Sequence, residues 1–171
     1  MKKIKLFAWV LCFVMCLNIC TPVFAAGETI TGAQINLSND TLSLTGVSQT
    51  VTATIGLDIS GGQTVAAAGM NYNISLPEGW TVSASEVPEG VMSSITSTGG
   101  MWILPSGTVD VKTLVTMTLS IPADVKAGTY TIAVSNVKVA GAQNITLYSG
   151  GTATATLTVA DDDEPTEPAN Y

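Results

Sequence analysis

The strongest constraint on this fold is a two-residue alternation of apolar and small polar side chains that recurs along the chain. In residues 51–59, valine, alanine, isoleucine and leucine alternate with threonine, glycine and aspartate. The same pattern recurs in residues 70–75, 115–121, 130–135 and 152–159. Successive side chains of a β-strand point to opposite faces, so this spacing predicts antiparallel strands with one buried and one solvated face.

Turn-forming sequences separate these segments, because glycine supplies positive φ and proline presets φ. The predicted turns are Gly61-Gly62, residues 77–79, residues 88–90, Gly99-Gly100, residues 105–107, Ala127-Gly128 and Gly150-Gly151. Short alternating strands at this spacing predict an all-β fold. We expect an antiparallel β-sandwich of about eight or nine strands, with the jelly-roll topology of immunoglobulin-like or similar domains.

The N-terminal segment reads as a secretory signal peptide. Lys2, Lys3 and Lys5 precede an apolar run of about 14 residues, shorter than the ~20 that span a bilayer. Val23-Phe24-Ala25 fits a cleavage site, which predicts a signal peptide at 1–25 and a domain at 26–160. An uncleaved anchor or lipidation at Cys20 fits less well, so we expect a secreted, extracellular protein, most consistent with a Gram-positive bacterium.

The last eleven residues, 161–171, hold five acids and two prolines. Like charges repel and no apolar face exists, so this segment is predicted to be a solvated tail or linker. Its acidic run does not have the spacing of an EF-hand loop. We therefore expect a released product, with cell-surface association as the alternative.

Residues beyond position 25 contain no His, Cys, Arg or Phe, and their three lysines against thirteen acids give a formal charge of −10. Ser-His-Asp and Cys-His catalysis and imidazole or thiolate metal sites are therefore excluded. The charge also argues against nucleic acid and anionic membranes as partners. Asp58, Asp110 and Asp124 are isolated and define no carboxylate pair for glycoside hydrolysis. We predict a non-enzyme with no cofactor and no metal.

Two asparagines form the first candidate site. Asn71 and Asn73 alternate with Met70, Tyr72 and Ile74, which predicts that both asparagines lie on the outer face of one strand. Asparagine is disfavoured in strands, so two in alternation suggest a hydrogen-bonding surface for a partner. A plain solvated face is the alternative.

Aromatic residues form the second candidate site. Exposed rings stack on sugars, so Trp102 and Trp80, with Tyr148 as a neighbour, are candidates for a carbohydrate platform. A domain without phenylalanine needs other large side chains in its core, and burial is the favoured interpretation of both tryptophans.

Residues 126–137, KAGTYTIAVSNV, together with the strand before them, resemble the later half of a cohesin domain. Residues 69–77 are similar to the cohesin segment that leads into a "YDP" motif, although here Leu76-Pro77-Glu78 stands in its place and the usual Phe-rich core is absent. The resemblance implies a nine-stranded, flattened jelly roll of the carbohydrate-binding-module superfamily. It also implies that a dockerin binds at Asn71 and Asn73, and that the calcium belongs to the dockerin.

Three functions follow from these features. The first is a cohesin-like module that recruits a dockerin-bearing glycoside hydrolase into a cellulosome-type assembly for polysaccharide breakdown. The second is a carbohydrate-binding module that holds polysaccharide directly. The third is a structural spacer of a surface protein. An exposed polar patch around Asn71 and Asn73 favours the first, and exposed Trp102 or Trp80 favours the second. The absence of both features favours the third.

Overall fold

The computed structural model describes residues 29–61 and 64–161. Within them the chain forms twelve β-strands and one 3₁₀ turn, Ala142–Asn144. The strands are β1 Thr29–Leu37, β2 Thr41–Ser43, β3 Gln49–Ser60, β4 Val65–Ala67, β5 Gly69–Ser75, β6 Thr81–Glu86, β7 Met92–Thr96, β8 Gly99–Ile103, β9 Val109–Val111, β10 Thr113–Ile121, β11 Gly128–Ala140 and β12 Thr146–Ala160. The predicted signal peptide, and the predicted tail apart from Asp161, lie outside the described residues.

Two sheets pack face to face. A four-stranded sheet has the order β1-β3-β10-β6, and a six-stranded sheet has the order β2-β12-β11-β5-β8-β7. Strands β4 and β9 form a separate two-stranded ribbon, and β2 joins β12 in parallel. The other strand pairs described are antiparallel, which confirms the predicted all-β, antiparallel sandwich.

The strand count exceeds the predicted eight or nine for a physical reason. Strands β2, β4 and β9 have three residues each, too few for alternation to be visible in the sequence. Strand β7 is composed largely of serine and threonine, so it lacks an apolar signal. These strands form because neighbouring strands offer them backbone partners.

Two of the predicted turns are wrong. Gly99 and Gly100 begin β8, and Gly150 and Gly151 lie inside β12. On β11, Asn136 has φ 52°, and it lies between the pairs Ser135–Thr152 and Val137–Gly150, at the level of Gly151 with φ 80°. Both strands therefore take an extra residue at the same level and keep their mutual register.

The core is built from the inward residues of both sheets, and two side-chain hydrogen bonds cross it. The indole Nε1 of Trp102 on β8 donates a hydrogen bond to the Leu114 carbonyl of β10, at 2.9 Å. The Tyr72 hydroxyl on β5 donates to the Met117 sulfur of β10, at 3.2 Å. Among the described residues, every buried side-chain nitrogen or oxygen has a hydrogen-bond partner. These two contacts tie the six-stranded sheet to the four-stranded sheet.

The buried phenol makes stability depend on alkaline pH. Burial raises the pKa of Tyr72 to about 12, whereas the unfolded chain ionises near pH 10. Because the folded pKa is the higher one, the contribution of the neutral Tyr72 phenol to the free energy of unfolding is complete below pH 10. This contribution is lost as pH rises through 12. At about pH 11.5 we expect a loss of about 2 kcal/mol relative to neutral pH.

Urea unfolding of the parent protein and Tyr72→Phe at both pH values measures this loss. Other titrating groups are common to the two proteins, so the difference between their pH dependences isolates Tyr72. Equal declines in the two proteins would show that the phenol does not carry the effect.

Candidate functional site

Strand β5 presents Asn71 and Asn73 to solvent, as the alternation predicts. Its inward residues Met70, Tyr72 and Ile74 are buried in the core, and both asparagines are exposed. The two amides therefore share one side of the six-stranded sheet. We call the outward side of β7, β8, β5, β11 and β12 the outer face.

Strand register gives each asparagine its neighbours on the outer face. The level of Asn71 runs through Ser94, Met101, Asn71, Lys138 and Ser149. The level of Asn73 runs through Thr96, Gly99, Asn73, Ser135 and Thr152. Between the two levels β11 carries the extra residue Asn136, so its register against β5 shifts by one. Directly opposed residues lie about 5 Å apart, so the amides form a polar strip with the side chains of β11 and β12, and Met101 adjoins Asn71 on β8.

An exposed apolar patch adjoins the asparagines, and sequence reasoning missed it. Met92 is 63% exposed, and Met101 and Ile103 are each 49% exposed. Met92 lies opposite Ile103, which makes the three side chains contiguous across β7 and β8. We call Met92, Met101 and Ile103 the apolar patch. Its sequence signal was the apolar run around Trp102. Successive side chains of a strand point to opposite faces, so when Trp102 is buried its apolar neighbours lie on the other face.

A groove lies beside the apolar patch. Gly69 and Ala140 are opposite each other on β5 and β11, and their lack of long side chains leaves a depression of about 540 Å³. Met101 and Ile103 line one side, and Lys138 and Asn144 also line it. We call this depression the groove.

The charge of the outer face differs from that of the protein as a whole. Lys138 is the single charged residue within β7, β8, β5, β11 and β12. The eight acids of the described residues all lie in other strands or in loops, at Asp40, Asp58, Glu78, Glu86, Glu89, Asp110, Asp124 and Asp161. An acidic domain thus exposes one face that is neutral apart from a single positive charge.

Both tryptophans are buried, as the composition favoured. Trp102 is 0% exposed and Trp80 is 4% exposed, so neither ring offers a face for stacking. Trp80 packs against Tyr130 with ring centroids 5.4 Å apart, and the Tyr130 hydroxyl donates to the Lys126 carbonyl. Tyr148 is half-buried and lies opposite the buried Val139. The carbohydrate platform considered for Trp102, Trp80 and Tyr148 is therefore not assembled.

Within residues 29–61 and 64–161, no cluster of three or more His, Cys, Asp or Glu side chains is arranged to hold a metal ion. Across that same part of the chain, no helix is long and apolar enough to cross a membrane.

No family model and no curated protein matches the sequence. Solved structures do match the fold. A cohesin module from a family 33 glycoside hydrolase of Clostridium perfringens has a TM-score of 0.59 at 13% identity, over 78% of this chain and 99% of that module. A non-cellulosomal cohesin from the archaeon Archaeoglobus fulgidus has a TM-score of 0.51 at 10% identity, over 78% of this chain and 94% of that one.

The third ScaB cohesin of Ruminococcus flavefaciens, solved in complex with a group 1 dockerin, has a TM-score of 0.52 at 12% identity. The match covers 77% of this chain and 98% of that cohesin. At identities this low, the matches are evidence for the fold alone. The chain has a cohesin-like β-sandwich, and the resemblance predicted from residues 126–137 is confirmed at that level.

Proposed function

We propose that this cohesin-like domain is a secreted, non-catalytic binding module that recruits a dockerin-bearing glycoside hydrolase. The observation that carries the proposal is the outer face, which joins the amides of Asn71 and Asn73 to an exposed apolar patch. The match to a cohesin solved with a dockerin supports the class of partner. In this proposal the calcium belongs to the dockerin, and the assembly serves extracellular polysaccharide breakdown.

The outer face has the dimensions that such an interface needs. Five strands spaced about 4.8 Å apart and about 17 Å long offer roughly 400 Å² in projection. A specific interface buries at least about 1,000 Å² in total, or about 500 Å² on each partner. Side chains raise the accessible area above its projection, so this face is large enough for a helical module.

The composition of the outer face also suits a binding surface. Methionine is enriched in interface cores, while charged residues are depleted there. Met92 and Met101 supply adaptable apolar contacts, and the two asparagines supply hydrogen bonds that fix orientation. A spacer domain has no need for three exposed large apolar side chains beside one another.

Affinity capture tests the proposal. The mature protein, residues 26–171, is immobilised and exposed to the secreted proteins of its source organism with calcium or with a chelator, and bound proteins are identified by mass spectrometry. We expect calcium-dependent capture of a dockerin-bearing hydrolase. Retention of the protein on insoluble cellulose or xylan would favour direct carbohydrate binding. The absence of both results would favour a spacer.

Removing both amides is expected to weaken binding of the captured dockerin. Asn71→Ala with Asn73→Ala deletes several interface hydrogen bonds worth about 0.5–1.5 kcal/mol each, so we expect a 10- to 100-fold loss of affinity by calorimetry.

The matched control is Thr52→Ala with Thr118→Ala, an opposed pair on the outer side of the four-stranded sheet. We expect this variant to bind like the parent protein. Unchanged affinity of the asparagine variant would remove these residues from the binding surface even where a dockerin is captured.

A further inference from the structure

The groove has a floor of minimal side chains between two unlike walls. Gly69 and Ala140 contribute no side chain and one methyl group to the floor, and Met101 and Ile103 line the groove on the β8 side. Lys138 and Asn144 line it as well. A ligand that fills this space meets apolar contacts together with one cation and one hydrogen-bonding amide.

The loop that carries Asn144 has a strained backbone, which two hydrogen bonds hold in place. Gln143 and Asn144 have φ of 55° and 60°, two consecutive left-handed residues without glycine. Hydrogen bonds from the Gly141 amide to the Ile145 carbonyl, 2.7 Å, and from the Ile145 amide to the Ala142 carbonyl, 3.2 Å, close this loop. Strain of this kind persists where the surrounding structure enforces it, and it is concentrated at ligand sites.

We propose that the groove receives one bulky apolar side chain of a protein partner, with a neighbouring carboxylate of that partner reaching Lys138. The inference deepens the proposed function, and it rests on that function for the identity of the partner. Charge complementarity selects the carboxylate, because Lys138 is the single charge on the outer face. Buried anchor side chains in such pockets supply most of the energy of an interface.

A second copy of this chain does not satisfy the groove. Two outer faces packed on each other would bring together two surfaces whose single charge is a lysine, with no acid on either face to compensate. The partner is therefore a different protein surface with an apolar residue and an acidic residue side by side.

The cysteine content allows a direct test, because all three cysteines, Cys12, Cys16 and Cys20, precede the predicted cleavage site. Ala140→Cys places one thiol on the groove floor, and Thr50→Cys places one at an exposed position of β3, on the outer side of the four-stranded sheet. Maleimide labelling is followed with and without the captured, calcium-loaded dockerin. We expect at least tenfold slower labelling of Ala140→Cys in the complex and unchanged labelling of Thr50→Cys.

The charge pairing has its own variant. Lys138→Glu is expected to weaken dockerin affinity at least tenfold, and Lys138→Met, which keeps the length of the side chain, is expected to weaken it about 2- to 5-fold. Dockerin binding that leaves Ala140→Cys fully reactive would overturn the groove proposal while the proposed function stands.

An independent arm covers the case in which no dockerin is captured. Blocked Leu-Glu and Leu-Gln dipeptides are titrated into the isotope-labelled protein, and amide shifts at Lys138, Ala140 and Asn144 are followed. Selective shifts with about 2- to 5-fold tighter binding of the Glu peptide support the groove, although the proposed function has then failed. Absence of shifts there overturns it.

The acidic segment at 162–171 is the remaining competitor for the groove. Labelling of Ala140→Cys without partner is compared between residues 26–171 and a variant of the same protein that ends at Asp161. We expect equal rates, and faster labelling of the shortened chain would assign the groove to this segment instead of a partner.

Discussion

Replacing Trp102 with alanine is expected to lower the free energy of unfolding by about 3–5 kcal/mol. The side chain is 0% exposed, so its removal leaves a large cavity between the two sheets. It also removes the donor to the Leu114 carbonyl, which lies at a register shift between β10 and β3. The buried carbonyl then loses its partner, which adds to the cost of the cavity.

Urea unfolding followed by far-UV circular dichroism measures this loss. Circular dichroism is chosen over fluorescence because the substitution removes one of the two tryptophans beyond residue 25. Trp102→Phe retains most of the volume without the donor, and we expect a smaller loss of about 1–3 kcal/mol. Val47→Ala, at a side chain that is 63% exposed, serves as the control and is expected to change stability by at most about 0.5 kcal/mol. Similar losses for Trp102→Ala and Val47→Ala would contradict the burial of the indole.

The second large effect is expected at Gly99, where the sheet accepts no side chain. A β-carbon at this position would lie 2.6 Å from the Tyr72 carbonyl oxygen and 3.3 Å from the Asn73 α-carbon. Both atoms belong to the backbone of β5, so β5 and β8 have to separate to admit it. We expect Gly99→Val to cost about 3 kcal/mol, although valine is a favourable residue in strands.

Because Gly99 lies opposite Asn73, the same substitution is expected to distort the outer face and to weaken partner binding. The matched control is Gly32→Val on β1, where a β-carbon would first meet the Asp58 carboxylate oxygen at 3.4 Å. That side chain is exposed, so we expect a change in stability of at most about 1 kcal/mol. Equal costs at Gly32 and Gly99 would show that the clash with β5 is not the cause.

Alternation was sufficient to predict the faces of the longest strands. Residues Val51, Ala53, Ile55 and Leu57 are buried as the two-residue period requires, and Asn71 and Asn73 point to solvent. Burial of Trp102 and Trp80 followed from the need of a phenylalanine-free core for large side chains. These are local properties, since each depends on the chemistry of a residue and its near neighbours.

The alternation of buried residues breaks within β11. Val134 and Val137 are both buried, which is a change of parity along β11. One extra residue, Asn136, is needed to turn the later part of the strand back to the core. The Gly150-Gly151 pair opposite it is therefore part of the same distortion and does not end the strand.

By itself, the sequence determined an all-β sandwich and which of its strand faces are buried. Tertiary structure alone decided which strands are neighbours. That choice places Met92, Met101 and Ile103 beside Asn71, and it sets Gly69 opposite Ala140 to open the groove. The period of a strand states which way a side chain points, but strand pairing between distant segments decides what lies next to it.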